Sequence, residues 1–91
     1  SMPKLFTIGG YIVFFWSGEN GEPVHVHVAR GKAAPDATKF WLTSDGGCLL
    51  ASNGSDIPDK DLRTISRIIV VNHSLICDRW HEFFGSVAFY S

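Results

Sequence analysis

Apolar residues along the chain change their spacing once, at Pro58. Before it they gather in short runs between turn residues; after it they recur at intervals of three, four and seven. The first pattern predicts strands and the second an amphipathic helix. The run Tyr11-Ile12-Val13-Phe14-Phe15-Trp16, opened by Gly9-Gly10, is made of β-branched and aromatic residues and favours a strand. Residues 4–8 are either a shorter strand or an earlier part of the same one. Residues 17–23 are turn chemistry throughout, and Val24-His25-Val26-His27-Val28 then alternates two residues at a time. This alternation puts three valines on one face and both histidines on the other. A hairpin joins the two strands. Residues 31–37, with Pro35 and Asp36, read as a loop, and 38–42 as the next strand. Asp45-Gly46-Gly47 turns the chain into a strand over 48–51, and Asn53-Gly54 is a further turn.

From Asp59 onward, Leu62, Ile65, Ile69, Ile76, Trp80 and Phe83-Phe84 form one apolar stripe. Asp59 and Asp61 suit the positive end of a helix dipole, Pro58 is tolerated near a first turn, and Gly85 is a natural stop. An unbroken helix over 59–84 measures about 39 Å at 1.5 Å per residue. That is longer than a small sheet, so a kink is expected near Asn72-His73-Ser74. The expected fold is therefore α+β, a single domain over residues 1–91. An antiparallel sheet of about four strands (residues 4–57) packs on one long C-terminal helix (58–85). Residues 86–91 follow as a short terminal strand or tail.

Composition narrows the class. The 91 residues are 45% apolar and 19% charged, with 7 Phe, 3 Trp and 2 Tyr, which is globular composition. A chain of this length hides only roughly 60–65% of its unfolded surface, so the core is thin. A two-domain enzyme and a dinucleotide-binding domain are excluded by size. The apolar run Tyr11 to Trp16 falls far short of the roughly 20 residues that a membrane helix needs. A formal charge of −1 argues against broad non-specific nucleic-acid binding. Cys48 and Cys77 lack the close spacing of a zinc or redox motif and read as a reduced, cytoplasmic pair. No leader segment is recognised, and Ser1 before Met2 reads as a tag remnant. With no glycine-rich phosphate loop or nucleophile elbow, no cofactor is expected.

The most distinctive feature is Pro23-Val24-His25-Val26-His27-Val28. Two histidines two apart on a strand share a face, their bases roughly 7 Å apart, and can converge on one ion. A metal site needs further ligands, and Glu22, His73, Cys77, Asp78 and His81 are the candidates. The same pair admits acid–base cleavage of a phosphodiester, one imidazole as base and the other as acid, with Arg30 or Lys32 on the phosphate. The third reading has the pair packed and hydrogen-bonded as part of the fold. In Trp80-His81-Glu82-Phe83-Phe84 the aromatics read as core anchors and His81 and Glu82 as solvated. Phe14, Trp16 and Trp41, with Phe40, are candidates for an aromatic contact surface.

These segments, with Ala37-Thr38-Lys39-Phe40-Trp41-Leu42, Ile57-Pro58 and Trp80-His81-Glu82-Phe83-Phe84-Gly85, resemble a small bacterial family, domain of unknown function 4160. The Pro-x-His-x-His strand is the family's hallmark and falls here on Pro23, His25 and His27. Many members carry two prolines before the first histidine, where this chain has Glu22-Pro23-Val24. The resemblance implies a bacterial, cytoplasmic protein with a few antiparallel strands and a C-terminal helix. It also implies pairing with another small domain, as in toxin–antitoxin cassettes, and carries no catalytic residues. The expected function is a non-enzymatic protein-binding or regulatory module that meets a protein partner or a second copy of itself. Its contact surface is the sheet edge or Phe14, Trp16, Arg30, Lys32 and Trp41. The alternatives are a ribonuclease-type toxin using His25 and His27, and a metal-binding domain built on the same pair.

Overall fold

The computed structural model describes residues 2–91, and Ser1, expected as a tag remnant, lies outside them. Strands β1 (Lys4–Ile8), β2 (Tyr11–Phe14), β3 (His25–Arg30), β4 (Thr38–Leu42) and β5 (Cys48–Ser52) form one antiparallel sheet in chain order. The sheet thus has five strands, not about four. Gly9 adopts φ 55° and reverses the chain at once, so Ile8 faces Tyr11 and Thr7 faces Ile12. Residues 4–8 therefore fold back as a separate strand.

The single long helix is also corrected, to α1 (Asp59–Val71) and α2 (His73–Phe84). The break is at Asn72, at φ −100° and ψ 16°. Its side-chain amide donates to the Ile68 carbonyl at 2.9 Å, and its own carbonyl accepts from Ile76 N–H at 2.9 Å to start α2. A straight rod of about 39 Å would carry its second half past the sheet. The break keeps Ile65 and Ile69 of α1 and Ile76 and Trp80 of α2 buried in the same core. Gly85, left-handed at φ 86°, closes α2 with its N–H on the His81 carbonyl at 2.7 Å. No helix among the described residues is long and apolar enough to cross a membrane.

Val24, Val26 and Val28 join the main core under the helices, as their alternation requires. A second, smaller core on the other face gathers Ile12, Phe14, Ala29 and Ala37. β3 is the middle strand, and its first five residues are all buried. Any polar side chain on β3 must therefore find its partners inside the protein. Phe83, expected in the core stripe, is 48% exposed. Phe84 packs against Trp80 instead, ring centroids 4.5 Å apart.

Residues 86–91 form a tail and no strand. The tail is tied by two backbone bonds, Val24 N–H to the Ala88 carbonyl at 2.9 Å and Ser44 N–H to the Ser91 carbonyl at 2.8 Å. The Tyr90 ring stacks on Trp41 at 4.8 Å.

The turn after β5 is pinned on several sides. The Asn53 carboxamide bonds both the N–H and the carbonyl of Ile57, each at 3.0 Å, and accepts from Thr38 Oγ1 at 2.7 Å. Gly54 lies so close to the loop before β4 that a Cβ would fall 1.7 Å from the Asp36 carbonyl oxygen. Gly54→Ala is therefore expected to lower unfolding free energy by about 2–3 kcal/mol through overpacking. Trp80→Ala, which empties the core, is expected to cost about 3–5 kcal/mol. Urea midpoints of the two variants check both, and a wild-type midpoint for Gly54→Ala would contradict the close packing of residues 36 and 54.

Candidate functional site

The site grows out of the connection between β2 and β3. After Phe14 the chain leaves the ladder and makes two turns in succession. Glu19 N–H donates to the Trp16 carbonyl and Glu22 N–H to the Glu19 carbonyl, both at 3.2 Å. Gly21 supplies the left-handed residue, φ 91°. The result folds Glu19 back over the polar face of β3. One carboxylate oxygen, Oε1, accepts from Trp16 N–H at 2.7 Å.

The other oxygen, Oε2, lies 2.8 Å from the Nε2 of His25 and 2.8 Å from the Nε2 of His27. The His27 contact is a well-aligned hydrogen bond. The His25 contact has the same length, but that Nε2 makes no hydrogen bond. The His25 Nδ1 instead donates to the Pro23 carbonyl at 2.9 Å, which fixes the proton on that nitrogen. The Nδ1 of His27 is buried with no protein partner. Aromatic rings enclose the pair. His25 meets Trp41 and Trp80 at 5.6 and 5.0 Å, and His27 meets Phe14 at 5.5 Å.

A carboxylate in this setting is pulled two ways. Burial pushes the Glu19 carboxyl up, but the two imidazoles and the Trp16 N–H outweigh it, so the group sits well below the usual carboxylate range. The second acid of the loop, Glu22, pairs with Lys39 at 3.3 Å, and Lys39 lies over the Trp41 ring at 4.0 Å. Both acids of the connection thus hold it to the sheet.

Among the described residues, Glu19, His25 and His27 are the one group of three whose donor atoms gather within 4.8 Å of one another. None of the candidate third ligands is among them. Glu22 is taken by Lys39. His73 bonds the Thr43 carbonyl at 2.7 Å, with the Cys77 sulfur 3.9 Å from its other nitrogen. The Cys77 thiol is raised by burial and by Asp78, which disfavours the thiolate that a metal takes. Asp78 and His81 stand on α2 outside the cluster.

Sequence reasoning missed Glu19. The segment Ser17-Gly18-Glu19-Asn20-Gly21-Glu22-Pro23 offers two carboxylates at similar distance from the histidines, and only the turn geometry selects between them.

The expected contact surface does not assemble. Phe14 is fully buried and Trp16 lies edge-on to it at 5.2 Å, so no aromatic platform forms there. Trp41 is half-buried beneath Lys39 and against Tyr90. The Arg30 guanidinium bonds the Ser55 and Asp56 carbonyls at 2.7 and 3.4 Å and is not brought to the histidines. Lys32 lies exposed in the loop after β3.

A family model described as Domain of unknown function (DUF4160) matches residues 10–81, a span that includes Glu19, His25 and His27. Neither a curated protein nor a solved structure matches the chain.

The Glu19 carboxyl sets a sign for pH dependence. Its native value lies below its ordinary value of 4.5, so the unfolded chain takes up the proton first as pH falls. The stabilisation is complete above the ordinary value and is lost as pH drops through it towards the native one. Glu19→Gln keeps an acceptor for Trp16 N–H and removes the titration. Denaturant unfolding from about pH 6 down to about pH 3 is expected to show the wild type's advantage over this variant shrinking. A constant difference would contradict the assignment.

Proposed function

We propose that this chain, which belongs to the DUF4160 family, is a non-enzymatic protein-binding module. In this reading a partner's extended segment adds to the free edge of β5, and the pair acts as a regulatory unit of the toxin–antitoxin-like kind. The observation that carries it is the state of that edge. β5 pairs only with β4, and Leu49 through Ser52 are exposed. Leu49 and Leu50, which point to opposite faces, are each 47% exposed.

Exposed edges are ordinarily blunted by charge, proline or a bulge. The opposite edge, β1, has Lys4 and a register shift between Lys4 and Phe6. β5 reads Cys-Leu-Leu-Ala-Ser, with no charge and no proline. Its one irregularity is at the far end, where Ser52 faces Lys39, and the Cys48–Leu50 stretch is regularly paired. Such an edge offers main-chain groups for affinity and alternate side chains for selectivity.

The histidine pair supports a non-enzymatic role. A general acid or base must come within about 2.6–3.2 Å of the proton it moves. His25 has no exposed surface, and the unpartnered nitrogens of both rings are closed off from solvent. A phosphodiester would have to displace Glu19 and its loop to reach them.

Two outcomes are expected. With a photo-crosslinking residue in place of the exposed Ala51, a protein partner is captured in the native host, and Leu50→Lys lowers capture at least tenfold, or about 1.4 kcal/mol, at an unchanged melting temperature. Induced alone, the chain leaves host growth and RNA intact. Undiminished capture by Leu50→Lys counts against the edge, and growth arrest that needs His25 and His27 replaces this reading with the ribonuclease.

A further inference from the structure

We infer that Glu19, His25 and His27 form a site for one divalent transition-metal ion of the zinc class, held by both Nε2 atoms and Glu19 Oε2. The inference is independent of the β5 edge, which lies two strands away.

The first argument is the unsatisfied nitrogen. With its proton fixed on Nδ1 by the Pro23 carbonyl, a neutral His25 turns a bare lone pair towards a carboxylate oxygen 2.8 Å away. Two lone pairs at that distance repel. A cation must stand between or beside them, either a second proton on the ring or a metal ion. A buried ring nitrogen with no hydrogen bond, set 2.8 Å from a carboxylate oxygen, is what a metal ligand offers before the ion arrives. A ring tied at Nδ1 to a backbone carbonyl, with Nε2 left free, is also how metal-bound histidines are ordinarily oriented.

The second argument is construction. The three side chains are 0%, 9% and 13% exposed for His25, His27 and Glu19. Phe14, Trp41 and Trp80 wall the histidines with apolar rings, which strengthens the pull of the donors on a cation. Two of the three donors sit on a central strand, and the third sits on a loop that can adjust.

The third argument is the donor set and its size. Two imidazoles and one carboxylate suit zinc and its neighbours, whereas magnesium and calcium require oxygen ligands. Bond lengths of about 2.0–2.1 Å in a tetrahedron separate ligands by about 3.4 Å. The two Glu19–histidine contacts of 2.8 Å therefore have to lengthen by about half an ångström to admit the ion. Three protein ligands leave one position for water. Bound there, the ion clamps the β2–β3 connection to β3.

The test uses the full chain, free of any polyhistidine tag and stripped with a chelator. Calorimetric titration with Zn²⁺ is expected to give one ion per chain at submicromolar Kd, a raised melting temperature, and no response to millimolar Mg²⁺. Co²⁺ is expected to give the intense visible bands of a four-coordinate site. Glu19→Gln, on the loop and able to keep the Trp16 contact, is expected to fold and to weaken Zn²⁺ at least tenfold. His73→Ala is expected to leave binding unchanged. Absence of Zn²⁺ binding to the wild type at tens of micromolar would overturn the inference and leave a protonated His25 as the partner of Glu19. Binding that survives Glu19→Gln but is lost with His73→Ala would overturn it in favour of the His73–Cys77 pair.

Discussion

Two imidazoles on the buried middle strand of a five-stranded sheet have to be accommodated from within, and one carboxylate oxygen reaches both and hydrogen-bonds His27. Glu19 Oε2 at 2.8 Å from each Nε2 is the contact on which the arrangement of that face depends. It fixes where the β2–β3 connection lies and forms the lid over His25 and His27. Its other oxygen fastens the start of the same connection through Trp16 N–H. Without it, the His27 Nε2 on this buried strand would join His25 Nε2 and His27 Nδ1 as an unmet nitrogen. Unmet buried polar groups cost about 1–3 kcal/mol each.

The two faces of the sheet solve burial differently. Under the helices the work is done by valine, isoleucine and tryptophan, with α1 and α2 broken at Asn72 so that both remain on the sheet. The other face meets α2 only where Trp80 reaches His25. It is covered by loops, by the small core around Phe14 and by the tail that brings Tyr90 onto Trp41. The polar residues of this second face are tied to named partners, Glu19 to the histidines and Glu22 to Lys39, while Thr38, which faces the main core beside Val28, is tied to Asn53.

This division bears on function. The feature that looked most like chemistry in the sequence, the His-x-His pair, is enclosed. The feature that carried no chemical signal, Cys-Leu-Leu-Ala-Ser, is the unguarded edge of the sheet.

Much of the fold was legible because it follows from local spacing. Alternation around His25 and His27 placed valines and histidines on opposite faces, and the stripe from Leu62 to Phe84 announced the helical half. The kink near Asn72 followed from length alone, although the pattern read as one helix because the apolar stripe runs through the break. The separate β1 was left open because Gly9-Gly10 fits both a reversal and a continuation, and the pairing of Ile8 with Tyr11 decides it. Phe14, Arg30 and the Glu19–Glu22 choice were beyond local rules. Each depends on which segments meet across the sheet: Phe14 on the cover over its face, Arg30 on the turn carrying Ser55, Glu19 on two turns that fold it back. By itself, then, the sequence determined the element types, their faces and the two histidines, since periodicity and turn chemistry act over a few residues. Only the tertiary structure decided the third donor, the closure of the site and the open edge, because these arise between residues that the chain brings together after its strands have paired.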